Sequence, residues 1–228
     1  MAVRRQLGEE LDQLTERILF MGGLVEDAVH RGLRAALERD EPLAATVVGE
    51  IEPQINRLEI EIDRRALDLM ALQQPMAVDL RLVAAALKIA NDLERMGDLA
   101  VNIAESATRL LRSSRHLPRV DLALMAERTN QMLRSALDAL VRRDVALART
   151  VLQSDDDVDA LRDEIFHELM LAMARDPAGI EGSVALMFIA RNLERIADHA
   201  TNIAEDVIFW VEGVDVRHHS AEPPESPR

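Results

Sequence analysis

A chain of 228 residues with 48% hydrophobic and 30% charged side chains can bury a core, which excludes wholesale disorder. Only 2% of residues are aromatic and Tyr is absent, so the composition leans away from strands and toward helix. The net charge of −14 repels phosphate backbones and argues against nucleic acid as a partner, and the lack of Cys excludes disulfides, thiolate metal sites and cysteine nucleophiles.

The first helix is expected from Arg4 to Arg39. Its apolar line, Leu7, Leu11, Leu14, Ile18, Met21, Val25 and Ala28, steps by four and three, the seam of a helix lying almost parallel to its neighbour. Gly22 and Gly23 read as a close helix contact inside it. Met1 to Gln6 lacks the apolar stretch of a signal peptide, and no run of about eighteen apolar residues exists. A cytoplasmic chain without a membrane span is therefore expected.

Pro42 sits in the first turn of a second helix that runs to Gln73, on the apolar line Ile51, Ile55, Leu58, Ile62, Ala66 and Leu69. Pro53 either kinks this helix or marks its true start. Pro75 ends it. The third helix is expected over Ala77 to Arg112. Its first half, Leu80 to Ala90, is apolar nearly all round except for Arg81 and Lys88, and should be the most buried element. Its second half buries Leu93, Met96, Ala100, Ile103, Ala107 and Leu110.

A polar connector, Ser113 to Pro118, precedes three further helices over Arg119 to Arg143, Val145 to Ala174 and Ile180 to Val211. Asp176, Pro177 and Gly179 form the last turn. The fold class expected is all-α: two tandem, duplicated three-helix bundles over 1–113 and 118–213. A tail over 214–228, rich in Pro, Ser and charge, is expected to be disordered.

The duplication is written in the sequence itself. NDLERMGDLAVNIAE from Asn91 to Glu105 matches RNLERIADHATNIAE from Arg191 to Glu205 at nine of fifteen positions, without a gap. Farther upstream, Leu37 to Asp40 lines up with Val141 to Asp144, and Ile55 and Leu58 with Val158 and Leu161.

The matched blocks carry acid as well as core. Glu94 and Asp98 stand four apart, as do Glu194 and Asp198, with Asn102 and Glu105, and Asn202 and Glu205, one and two turns on. The preceding helices carry Glu52, Asn56, Glu59 and Asp63 in one half. In the other they carry Asp155 and Asp159, with Asp156, Asp157 and Asp163 close by. Two carboxylates at i and i+4 repel by a few tenths of a kcal/mol. A hard cation would offset that, and carboxylate oxygens suit such ions. The plainer reading is a solvated face, with Arg95 and Arg195 neutralising Asp98 and Asp198. At about 100° per residue the acidic row lies on the order of 160° from the core line, so any metal would sit on an outer face or in a shallow groove.

Glu164-x-x-His167 and the looser Asp27-x-x-His30 are what a di-iron carboxylate bundle would use, facing inward. His199 is read as a surface residue, and His218-His219 as part of the tail. A helical structural or chaperone-like protein is the blander alternative. No phosphate-cradling glycine loop, serine triad order or zinc-protease motif occurs.

The duplicated LERxxDxAxNIAE block and the ALQQPMAVDLR run from Ala71 to Arg81 resemble the PhoU family over nearly the whole chain, from Gln6 to Gly213. The resemblance implies a non-enzymatic negative regulator of phosphate uptake. It would act as an adaptor between a phosphate ABC transporter, through its ATPase, and a phosphate-responsive sensor histidine kinase, reaching the membrane only through those partners. It also implies a homodimer, and iron, zinc or another divalent metal on paired acids. Carried over, these are Glu94 with Asp98, Glu194 with Asp198, Asp155 with Asp159, and Glu52 with Asn56. Asn56 brings no charge, so a weaker first site is expected.

Overall fold

The computed structural model describes residues 2–112 and 118–217. The connector at 113–117, the His218-His219 pair and the expected disorder over 218–228 lie outside the described residues. Those described are helical nearly throughout: α1 (Ala2–Glu38), α2 (Glu41–Thr46), α3 (Glu52–Gln73), α4 (Val78–Arg112), α5 (Leu122–Arg142), α6 (Val145–Arg175) and α7 (Ile180–Glu212). A π-helical turn, Val47–Ile51, joins α2 to α3 into one rod, so six rods form the body.

That turn answers the question posed by Pro53. Proline offers no N–H, and its ring collides with the carbonyl four residues back. A π turn reaches one residue farther, and the Glu52 N–H accordingly bonds the Val47 carbonyl. The rod continues through Pro53 instead of breaking.

The links between rods follow from sequence too. Arg39 and Arg143 adopt left-handed backbone, with φ of 56° and 55°, and close α1 and α5. Asp40 and Asp144 follow and cap the next helix, each accepting from the N–H of Leu43 or Leu147 at 3.0 Å. This shared cap explains why Leu37 to Asp40 resembles Val141 to Asp144.

The expected apolar lines are buried. Leu14, Ile18 and Met21 of α1, Ile55 and Ile62 of α3, and Leu93, Met96, Ile103 and Leu110 of α4 are shut from solvent. Each such side chain contributes roughly 1.5–3 kcal/mol. α4 packs against α1, α3 and α7, while α7 packs against α4, α5 and α6, so these two helices are the spine of one continuous core. Gly22 permits the crossing of α1 and α5, because a Cβ there would run into Leu137.

Two expectations need correction. Leu80 is exposed, as are Leu72, Met76 and Val78 around the turn into α4, so burial of this helix sets in only from Leu82. His199 is buried instead of lying at the surface: it faces α4, where its Nδ1 lies 2.7 Å from Asp92 Oδ1.

Candidate functional site

The acidic residues gather in two grooves, one on each half. In the first, between α3 and α4, Glu59 and Glu94 both lie near Asp98, and both carboxyls are raised. Burial lifts the Glu94 carboxyl above its ordinary range, and Asp98, Glu59 and Glu52 add to this while Arg95 opposes it. Glu59 is raised by burial, then by Asp63 and Asp98. The Asn56 amide donates to Glu52 at 2.6 Å, and the Asn56 carbonyl oxygen is buried without a partner. Glu59 and Asp63 thus supply the acidity that the sequence reading found missing at Asn56.

In the second groove, between α6 and α7, Asp155, Asp159, Glu194 and Asp198 come together. Asp155 is pushed up to about 6 by burial and by Asp198, Asp159, Asp156 and Glu194. Glu194 and Asp198 are raised as well, again chiefly by burial, and Arg162 pulls both back down. Arg162 is itself ion-paired with Asp159 and Asp163, at 3.5 and 3.3 Å.

Arg95 and Arg195 form no close pair with Asp98 and Asp198 among the described residues. Arg195 instead lines the seam between α4 and α7. Asn102 and Asn202 also belong to that seam and not to the acidic grooves: Asn102 lines the same cavity, and the Asn202 amide donates to Asp92 at 3.2 Å. The cause is helical drift. Each i to i+4 step turns about 40°, so a row beginning at Glu94 has moved roughly 80° by Asn102 and has passed to the neighbouring groove.

The donors in both grooves are oxygen throughout, which suits a hard divalent cation. In their present conformations no three His, Asp or Glu side chains among the described residues are placed to hold one ion. Closure on an ion therefore requires side-chain rotation, for which the exposed Asp98 and Asp198 are free. Among the described residues the inward-facing di-iron arrangement is not formed: Glu164 and His167 face solvent, and Asp27 is paired with Arg31 at 2.8 Å.

The seam holds residues that sequence reasoning passed over. Lys88 Nζ lies 2.9 Å from Asp206, which is buried, and Arg81 donates to the Trp210 carbonyl at 2.9 Å. Burial raises the Asp206 carboxyl against the pull of Lys88. The signal was available: at Lys88/Phe188, Asp92/Asn192, Leu99/His199 and Ser106/Asp206 the two copies differ in polarity along one helical stripe.

The fold and its grooves define a class, a duplicated helical bundle presenting acid on two outer faces. A sequence family described as the PhoU domain matches residues 18–107 and again 122–207. The phosphate-specific transport system accessory protein PhoU homolog of Caulobacter vibrioides is 42% identical over 216 residues, 93% of this chain and 92% of that one. The crystal structure of PhoU from Pseudomonas aeruginosa superposes with a TM-score of 0.86 at 38% identity, covering 91% of this chain and 99% of that one. The phosphate transport system regulatory protein PhoU from Streptococcus pneumoniae gives 0.85 at 27% identity, over 92% and 99%. The chain belongs to the PhoU family. Proteins of this family are named as accessory or regulatory proteins, not as enzymes.

Proposed function

We propose that this chain is the accessory protein of a phosphate-specific transport system and acts as its negative regulator. It works as an adaptor between the ATPase of the phosphate ABC transporter and a phosphate-responsive sensor histidine kinase. The observation that carries this reading is the 42% identity over 93% of the chain to a relative of that name. The geometry is in keeping with it. Six long rods present rigid helical faces, and no helix among the described residues is long and apolar enough to cross a membrane. Contact with the membrane then comes through the partners, from the cytoplasmic side. The family resemblance is what supports a homodimer.

The two acidic grooves bind iron, zinc or another divalent cation in this reading. Glu52, Glu94 and Asp98 would hold it in the first, and Asp155, Asp159, Glu194 and Asp198 in the second. What supports this is the crowding of half-buried carboxylates, whose repulsion a bound cation would relieve. The cation would neutralise the groove and draw two helices together; the carboxylates alone would supply the coordination.

The test uses the full chain, purified without chelator, beside a variant with alanine at Glu94, Asp98, Glu194 and Asp198. Mass spectrometry should find metal in the former and not in the latter. The purified transporter ATPase and the cytoplasmic region of the kinase should each bind saturably, and the variant should weaken at least one of them about tenfold, or 1.4 kcal/mol. Equal metal in both proteins would sink the metal assignment. Failure of both partners to bind would sink the adaptor.

A further inference from the structure

The seam between α4 and α7 has two sides, related by the repeat, and they have diverged in charge. One side carries Lys88, Asp92, Asn202 and Asp206. There the carboxylates of Asp92 and Asp206 are buried and occupied by His199, Asn202 and Lys88. The other side is a cavity of about 270 Å³, lined by Asn102, Glu105, Ser106, Arg109, Phe188, Arg191, Asn192 and Arg195. Four of these eight, Asn102, Ser106, Phe188 and Asn192, stand one hundred positions from Asn202, Asp206, Lys88 and Asp92 of the first side.

The exchanges make the cavity side more positive on balance, although Lys88 gives way to Phe188 there. Asp92 becomes Asn192 and Asp206 becomes Ser106, so both buried carboxylates of the first side are replaced by neutral groups. Asn192 and Ser106 are satisfied within their own helices, bonding the carbonyls of Phe188 and Asn102 at 2.7 and 2.8 Å. The floor is therefore neutral and needs nothing from a ligand. Asn91 becomes Arg191 and Phe209 becomes Arg109, so the rim gains two guanidinium groups beside Arg195.

Among the described residues none of these three arginines makes an ion pair, although the chain as a whole is strongly acidic. Three cations and one carboxylate, Glu105, line the cavity, and Arg191 and Arg195 also act on Glu194 and Asp198 of the neighbouring groove. This excess of two positive charges is close to what a phosphate group carries at neutral pH, roughly −1.5 to −2. Guanidinium forks match phosphate oxygens in geometry, and are the side chains best suited to hold them. The cavity lies just under the roughly 300 Å³ at which drug-sized ligand pockets begin.

We propose that this side of the seam binds a small phosphate-bearing anion, with Arg109, Arg191 and Arg195 as the ligating groups and the Asn102 amide at the rim. The site bridges α4 and α7, so an occupant ties the two halves of the chain together. Its ligating residues are not those of the acidic grooves, although Arg191 and Arg195 also act on Glu194 and Asp198 beside it.

Titration calorimetry on the full chain, free of divalent metal, tests it with inorganic phosphate and with ATP as separate probes. At least one should bind with a Kd at or below about 1 mM. Arg109→Phe with Arg191→Asn installs the residues found at the equivalent positions of the other repeat, on exposed positions. This double variant should keep its helical circular dichroism and lose at least tenfold in affinity. If inorganic phosphate binds as tightly as ATP, the phosphate group itself is the ligand; if ATP binds more tightly, the phosphate is recognised on a nucleotide. Absence of binding for both probes at that concentration overturns the proposal, as does unchanged affinity in the double variant.

Discussion

Glu59 in the first groove and Arg162 in the second hold equivalent places, three residues beyond Asn56 and Asp159. One adds a carboxylate to its groove and the other a cation. The inner helices did not diverge in this way: Glu94 with Asp98 and Glu194 with Asp198 are the same pair in the same exposure. The inner helix is held on three sides by packing, so its register and exposed pair are fixed together. The outer helix touches fewer neighbours and can exchange charge on its solvent side without disturbing the core. The first groove reaches its acidity with five carboxylates spread along it. The second concentrates four around Asp155 and tempers them with Arg162.

The packing beneath the grooves diverges in a compensated way. Ile55 lies against Gly97, where an added Cβ would approach it at 3.1 Å. The equivalent residues in the second half are Val158 and Ala197, one carbon smaller and one larger. Gly97→Ala alone should be crowded by about 1–3 kcal/mol, partly offset by the roughly 1 kcal/mol by which Ala favours helix over Gly. Ile55→Val alone should cost about 0.5–1.5 kcal/mol. The double variant should be more stable than the sum of the two, read from urea midpoints. Simple additivity would break the claim that the pairs compensate.

A smaller effect tests where the halves are alike. Asp40→Ala and Asp144→Ala each remove an N-cap, and each should cost about 1 kcal/mol. Thermal denaturation giving very different losses would show that the two links are not energetically equivalent. The smallest effect sharpens the electrostatic contrast. Asp155 titrates near 6 when folded and near 3.8 otherwise, so the folded state binds more protons between these values. Its contribution to stability is complete below about pH 4 and is lost as the pH rises through 6. Asp155→Asn should therefore raise the melting temperature at pH 7 and flatten its fall between pH 4 and 6. An unchanged pH profile would count against the crowding of the second groove.

The fold was legible because a helical seam announces itself through spacing alone. Leu14, Ile18, Met21 and Val25 had nowhere else to go, and the repeated block fixed the symmetry. The acidic grooves were half legible. Glu94 with Asp98 and Asp155 with Asp159 follow from i and i+4 neighbours, whereas the part played by Glu59 needed the crossing of α3 over α4. Asn102 and Asn202 reach the seam between α4 and α7 because rows four apart turn along a helix, which the spacing alone does not display. The burial of His199 was not legible, because its partner, Asp92, lies 107 residues away and no local pattern announces a contact between α4 and α7.

The π turn at Val47–Ile51 also keeps a record of how the halves parted. Asp40 and Leu43 match Asp144 and Leu147 at an offset of 104, while Ile55 and Ile62 match Val158 and Ile165 at 103. One residue more lies on the first side, and the π turn falls inside that longer stretch. In an ordinary helix an insertion would swing everything downstream by about 100° and turn Glu52 and Glu59 away from their groove. A wider turn swallows the extra residue and hands the helix on in phase. A length change has thus been inherited without loss of the surface beyond it.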